Sequence, residues 1–462
     1  MTGLLIEAGK SPGTIIWKLA WPVILDQIFQ TMAQYIDTAM VGSLGAVATA
    51  AIAVNTSTIW LVNGVMYAYG AAFSVLVARQ MGAQEPERVR DTVRQAYISM
   101  IVCSLVVTVG MLQVARFLPY WIGVEAAVIP GSTSYMHYIA LAYPFTIIFI
   151  YLANMLRTSG DTKSPLMANI ISTLVNICGN FLLIFPTREM VFMGKTFTMI
   201  GAGLGVTGAA LSTALSTAVS ASILIWVVSL KKSPLRINLR APWRLDSQII
   251  RKVARIGTPL ALERATLSFG QIALTILITH IGTSALAAHQ LANTAESITY
   301  LPVNGFSIAA TTLVAQSLGA QRKELASRYA NRCLVYGILL MSTTGVMMYI
   351  FSRQLMGFFT ADPQVVLLGS KILRIEAFAE PFFAASIVIS GILRGAGDTK
   401  WPFYIALFGM WVVRLLPATL LVRVAGMGLE AAWLCMMSDL IIRGILSLIR
   451  FKRGTWVDAW KL

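Results

Sequence analysis

Four polar side chains stand inside the first membrane-length apolar stretch, Thr14 to Val41: Asp26, Gln30, Gln34 and Asp37. Their steps of four, four and three keep them within one stripe of a 3.6-residue helix. A carboxylate inside a bilayer is costly and faces a bundle interior or a water-filled cavity, where the chemistry open to it is to exchange a proton or hold a cation. Glutamines in such a stripe also act as interhelical hydrogen-bond glue worth about 1 kcal/mol each. Asp37 is the sharper candidate for ion chemistry. Asp26 and Asp37 lie about 16 Å apart along one helix, too far to share a proton as a hydrolytic pair.

What must position these groups is a membrane bundle. Of the 462 residues 57% are hydrophobic and 12% charged, and the mean hydropathy is +0.72, the profile of an all-α integral membrane protein. The formal net charge of +16 resides in short loops between apolar runs, where membrane orientation accounts for it, so nucleic acid is not the expected partner. Cys103, Cys178, Cys333 and Cys435 fall in apolar runs without C-x-x-C spacing and read as small core residues. His137, His280 and His289 lack metal-ligand spacing. The first apolar stretch is too long for a signal-peptide core and is expected to remain as the first span.

Apolar runs near 14–41, 46–81, 92–115, 127–156, 165–186, 202–230, 249–281, 284–318, 328–352, 364–393, 402–424 and 428–449 predict twelve spanning helices. Cations crowd the even-numbered loops, among them Arg88, Arg90, Arg157, Lys163, Arg322, Lys323, Arg394 and Lys400, and thin out in the odd ones. Both termini are therefore expected on the cytoplasmic side of the plasma (inner) membrane.

LRTSGDTKSP at 156–165 recurs as LRGAGDTKWP at 393–402, and GAQ at 82–84 recurs at 319–321, both 237 positions on. The same shift carries Pro22 to Pro259, Asp26 to Glu263, Gly45 to Gly282 and Pro144 to Pro381. After the fifth span the shift becomes 223, because an outer loop containing TREMVFMGKTFTM lengthens the first half. The expected organisation is two co-oriented six-helix lobes, 1–230 and 249–462, joined by a cytoplasmic linker over 231–248 rich in Lys, Arg and Pro that meets lipid headgroups. Pro22, Pro144, Pro259 and Pro381 fall inside spans, where each is expected to bend a helix.

YIDTAMVGSLG at 35–45, LVARQMGAQ at 76–84, LRTSGDTKSP, AAHQ at 287–290, LVAQSLGAQ at 313–321 and LRGAGDTKWP together resemble the multidrug and toxic compound extrusion (MATE) family over nearly the whole chain. The resemblance implies a cation-coupled efflux antiporter, not an enzyme, with a V-shaped pair of lobes, no cofactor, and Asp37 as the coupling carboxylate of the first lobe. In the DinF-like branch that Asp works with fifth-helix residues spaced N-x-x-x-D and a sixth-helix Thr; here these are Asn176, Asn180 and Thr213, with Asn180 where that branch has Asp. The NorM-like positions fall on Leu267 and near Phe382 or Phe383, none acidic, so the chain sits closer to the DinF-like branch.

A carboxylate that is charged facing one side and neutral facing the other can couple proton uptake to release of a cationic, amphiphilic compound. Sodium is the less favoured ion at the same four residues, since the second acid is missing. Asp26, Gln30, Gln34, Glu263 and Gln271 are cavity candidates, and Met66, Met100, Met111, Tyr143, Phe145, Phe269, Tyr300 and Phe306 could form an adaptable apolar wall. Asp26 and Glu263 are expected to be mainly structural. The protein is expected to act as a monomer on a small organic substrate with H+ or Na+. A lipid-linked sugar flippase of the same superfamily is the alternative; it would want a cationic cavity, for which Arg414 is the clearest intramembrane cation.

Overall fold

The computed structural model describes residues 11–192, 195–230, 235–236 and 243–461. Helix α1, Pro12–Gly42, starts where Ser11 accepts the Thr14 N–H with Pro12 in the first turn, and it runs unbroken through Pro22. Four more helices follow: α2 Ala46–Gly82, α3 Pro86–Ile122, α4 Ile129–Thr158 and α5 Lys163–Leu183. The lengthened loop of the first half, between α5 and α6, is an antiparallel hairpin of β1, Pro186–Phe192, and β2, Lys195–Ala202, a small departure from an all-α chain. Helix α6, Gly205–Leu230, closes the first half.

Most of the expected linker, 231–234 and 237–242, lies outside the described residues. Its described part is tied to α3: Tyr97 donates to the Leu235 carbonyl at 3.1 Å, and Gln95 exchanges hydrogen bonds with the backbone of Arg244 and Asp246. Asp246 then caps α7, Ser247–Thr279, by accepting from the N–H groups of Gln248 and Ile249.

The second half breaks where the first does not. Helices α8, Thr283–Tyr300, and α9, Val303–Gly319, meet at a 45° bend beside Pro302, a position the proline pattern above did not include. After α10, Lys323–Ile350, and the short α11, Ser352–Phe359, helix α12, Pro363–Ala377, is parted from α13, Glu380–Gly395, at Phe378 and Ala379, with Pro381 in the first turn of α13. Helix α14, Lys400–Val424, contains wide π-type turns over Phe408–Leu415 and Leu420–Val424, and α15, Leu429–Lys452, is the last long helix. Under the 237-residue shift the two breaks correspond to points inside the continuous helices α2 and α4, which bears Pro144. A proline in the interior removes a backbone hydrogen bond but breaks a span only where other groups take up the freed backbone.

Among the described residues nine helices are long and apolar enough to cross a bilayer, ten when α8 and α9 count as one span, which is fewer than the twelve apolar runs suggest. Helix α1 and the α12–α13 pair are the shortfall; they carry Asp26 and Asp37, and Arg374, Glu376 and Glu380.

The repeat is written in the backbone. Positive φ angles occur at Gly45 and Gly282, Gln84 and Gln321, Gly160 and Gly397, each pair 237 apart, and at Gly203 and Gly426, 223 apart. Gln84 and Gln321 are the described non-glycine residues in this region, at φ 57° and 61°, so a matching strained turn ends α2 and α9. The halves also interlock: Ile15, Ile16, Leu19 and Ala20 of α1 join the core of α9, α10 and α13, while Val253, Ile256 and Leu260 of α7 join the core of α2, α3 and α4. In a bilayer such contacts hold by close packing rather than by expelling water.

Candidate functional site

Asp37 lies near the end of α1, Asn176 and Asn180 one turn apart on α5, and Thr213 on α6. Small residues let α5 and α6 approach: a Cβ on Gly179 would stand 2.5 Å from Ser212 Oγ, and one on Gly208 would stand 2.4 Å from the Leu183 carbonyl oxygen. The four side chains form one connected row. Asn180 Nδ2 donates to Asp37 Oδ1 and lies 3.3 Å from Asn176 Oδ1; Asn176 Nδ2 in turn reaches Thr213 Oγ1 at 3.4 Å. Ser212 Oγ donates to the Asn176 carbonyl at 2.7 Å, and Thr213 Oγ1 donates to the Ala209 carbonyl. Both asparagines are buried, Asp37 is half-buried, and Asn180 Oδ1 meets no donor among the described residues. The row thus offers one carboxylate and several neutral oxygens, a set suited to a proton or a hard monovalent cation.

Asp26 belongs elsewhere. It is 1% exposed and takes three donors: Arg157 Nη2 at 2.6 Å, Asn169 Nδ2 at 2.7 Å and Gln30 Nε2 at 3.4 Å. This buried ion pair ties α1 to α4 and α5, so of the cavity candidates Asp26 is withdrawn into the helix contacts. Gln30 and Gln34 remain exposed, and Glu263 and Gln271 on α7 are half-exposed. Arg264, beside Glu263, reaches across the halves to lie 5.5 Å over the Tyr67 ring of α2. Of the expected apolar wall, Met66, Met100, Met111, Tyr143 and Phe306 are buried core, whereas Phe145 and Phe269 are exposed. Cys333 and Cys435 are buried as expected, but Cys178 is exposed and Cys103 only partly covered.

A second polar cluster lies in the second half. Arg414 of α14 and Arg443 of α15 both clamp Asp439 of α15, at 2.8 and 2.6 Å, and all three are buried. Gly409 makes this contact fit: a Cβ there would stand 2.2 Å from Asp439 Oδ1. Glu296 of α8, Glu376 of α12 and Glu380 of α13 are buried in the same region. Thr299 donates to Glu380 at 2.8 Å, joining α8 to α13 next to both helix breaks. Of this cluster only Arg414 stood out from the sequence; Glu296, Glu376, Glu380 and Asp439 were equally visible as acids inside apolar runs.

The MatE family model matches the chain twice, over residues 22–182 and 259–420, so the two matched segments begin 237 positions apart. The probable multidrug resistance protein NorM of Thermotoga maritima is 28% identical over 442 residues, covering 95% of this chain and 92% of its own. The multidrug resistance protein MdtK of Yersinia pestis is 27% identical over 444 residues, covering 94% of each. A solved outward-facing multidrug resistance MATE transporter superimposes with a TM-score of 0.90 at 18% identity over 99% of both chains. A transporter of the MOP superfamily from Pyrococcus furiosus does so with 0.88 at 19% over 99% of both.

Proposed function

The chain belongs to the MatE family, and from that premise we propose that it is a cation-coupled antiporter carrying organic, amphiphilic compounds out across the plasma membrane by alternating access. No bond is made or broken in such work; the protein supplies two exclusive charge states at one site. The observation that carries the reading is the row Asp37, Asn180, Asn176, Thr213, which joins the ends of three helices through one ionisable group.

With Asp37 ionised, the row attracts a cationic compound. When a proton neutralises Asp37 that attraction is lost and the compound leaves, and by linkage a bound cation opposes protonation to the same extent. Sodium could occupy the same oxygens, with the orphaned Asn180 Oδ1 as a ready acceptor; the single carboxylate favours the proton. The apolar residues Leu267, Phe382 and Phe383 at the NorM-like positions favour a DinF-like arrangement.

The working form is a monomer of twelve membrane crossings, with α8–α9 and α12–α13 each counted as one, in two co-oriented lobes over 1–230 and 249–462, a linker over 231–248 and both termini cytoplasmic. Arg414 is spent on Asp439 rather than offered to a cleft, which weighs against a lipid-linked sugar flippase. The test is efflux of a fluorescent organic cation from proteoliposomes with pH and sodium gradients imposed separately. Efflux driven by the pH gradient alone is the expected result; transport indifferent to both gradients overturns the proposal.

A further inference from the structure

We propose that the seam between α7 and α14 is a seat for one phospholipid with an anionic headgroup, its acyl chain lying in an apolar groove there and its phosphate held by Arg423. The inference goes beyond the antiport reading and does not depend on it.

The seam is closed at one end. At Gly270 the two helices touch, since a Cβ there would stand 2.2 Å from Met410 Cγ. Beyond that contact lies a groove of about 460 Å³, floored by the buried Leu277 and Leu415 and walled by the exposed Ile276, Trp411 and Leu416. Its shape follows from the sequence of α14. Pro417 has no N–H to donate to the Val413 carbonyl, and the wide π-type turns over Phe408–Leu415 and Leu420–Val424 lie on either side of it. Exposed neighbours on the two helices, Ile272 and Leu420, are apolar too, so this face meets acyl chains rather than water. The stretch from Trp411 to Arg423 covers about 18 Å of helix, close to the depth of one leaflet's hydrocarbon, about 15 Å. A single acyl chain matches that reach.

The far end of the groove is set for an anion. Arg423 lines it, and no carboxylate pairs with its guanidinium among the described residues. What holds it is His280, just past the end of α7, whose Nε2 lies 3.2 Å from Arg423 Nη2. The Thr279 hydroxyl already donates to the Ile276 carbonyl at 2.7 Å, so at 3.3 Å from His280 Nδ1 it accepts. The imidazole therefore carries its proton on Nδ1, and Nε2 accepts from Arg423. A neutral ring fixes the guanidinium without cancelling its charge.

An arginine at a helix end ordinarily snorkels toward headgroups wherever they lie. This one is tethered across the seam, at the mouth of a groove, with four of its five N–H donors left to offer. A phosphate takes such donors two at a time in a fork. The fold does not call for the pair: the 237-residue shift puts Ser43 where His280 stands, and Arg423 corresponds to Pro186 at that shift or to Ile200 at 223. Both of those are neutral. A lipid with a net negative headgroup meets the guanidinium charge in full, whereas in a zwitterionic headgroup the lipid's own cation competes for the phosphate.

The test is photo-crosslinking of the full chain in phosphatidylethanolamine liposomes. These are doped with phosphatidylglycerol or phosphatidylcholine carrying a diazirine on the same acyl chain, and adducts are mapped by peptide mass spectrometry. The phosphatidylglycerol probe should label residues 276–277 and 411–416 several-fold more than the phosphatidylcholine probe, and Arg423→Gln should bring the two level. Ile276→Trp, which fills the groove and keeps Arg423, serves if Arg423→Gln does not fold, and should remove labelling of 411–416 by both probes. Equal labelling by the two probes in the wild-type protein, the mark of ordinary boundary lipid, overturns the seat. So does a phosphatidylglycerol preference that survives Arg423→Gln, or labelling untouched by Ile276→Trp.

Discussion

Gly82 and Gly319 each face the other's helix end as reciprocal counterparts. A Cβ on Gly82 would stand 2.0 Å from the Gln316 carbonyl oxygen, and one on Gly319 would stand 2.0 Å from that of Arg79. Both glycines and both carbonyl residues are related by the 237-residue shift, so the ends of α2 and α9 cross backbone to backbone about a local two-fold relation. Gln316 Nε2 adds a 3.0 Å hydrogen bond to the Thr158 carbonyl at the end of α4.

Gly82→Val and Gly319→Val should therefore each weaken closure at this end. The obstacle is a carbonyl group rather than a flexible side chain, so overpacking of about 1–3 kcal/mol is expected to fall on the closed state. Spin-label distances between the ends of α2 and α9 should lengthen or broaden in either variant. Unchanged distances with unchanged thermal stability would show that the helices part here at no cost.

Asp37→Asn should leave a folded protein of near wild-type thermal stability in which efflux no longer responds to the pH gradient. The amide keeps the shape and can still meet Asn180, but it cannot change charge. The measurement is gradient-driven efflux at matched expression. Full gradient dependence in the variant would dismiss Asp37 as the coupling group.

Asn180→Asp places a second carboxyl against Asp37. Two acids at one site hold a cation more strongly than one, so sodium should stimulate efflux in this variant more than in wild type. Efflux with and without a sodium gradient at fixed pH decides it.

The Asp26–Arg157 pair makes a prediction about stability alone. Arg157→Ala leaves Asp26 buried and charged and should cost about 3–5 kcal/mol, whereas Asp26→Asn with Arg157→Leu should cost much less. Thermal melts of the two variants in detergent test the ordering, and equal losses would argue that the pair is not coupled.

Single cysteines at Arg88 and Arg322, on an otherwise cysteine-free chain, should resist labelling by membrane-impermeant reagents from outside intact cells. Arg88 lies in the first turn of α3 and Arg322 caps α10, both at cation-rich helix starts of the kind that stay on the cytoplasmic side. Efficient labelling from outside would reverse the assigned orientation.

Asp37 stood out as a carboxylate in a span, whereas Asn176, Asn180 and Thr213 were reached only through the resemblance to the MATE family, because neutral polar residues inside apolar runs do not mark themselves out. The pairing of Asp26 with Arg157 was not, because an arginine at a helix end reads first as an orientation signal, and nothing in its spacing reveals that it turns inward. Glu376, Glu380 and Asp439 were in plain view, but they are displaced from the positions a family comparison inspects. The break at Pro302 has no mark in the repeat, because its counterpart Val65 lies in an unbroken helix. The β1–β2 hairpin was visible only as extra length.

The paired left-handed turns have a bearing on how such a chain can be rebuilt. Its corners, at Gly45 and Gly282, Gln84 and Gln321, Gly160 and Gly397, and Gly203 and Gly426, are standardised fittings, while the charged rows between them are not. A helix exchanged between corresponding slots would meet the same corner at each end. Polar chemistry could thus be transplanted from one slot to its counterpart without redrawing the path of the chain, which makes the molecule a chassis with two sets of matching mounts and different cargo bolted to each.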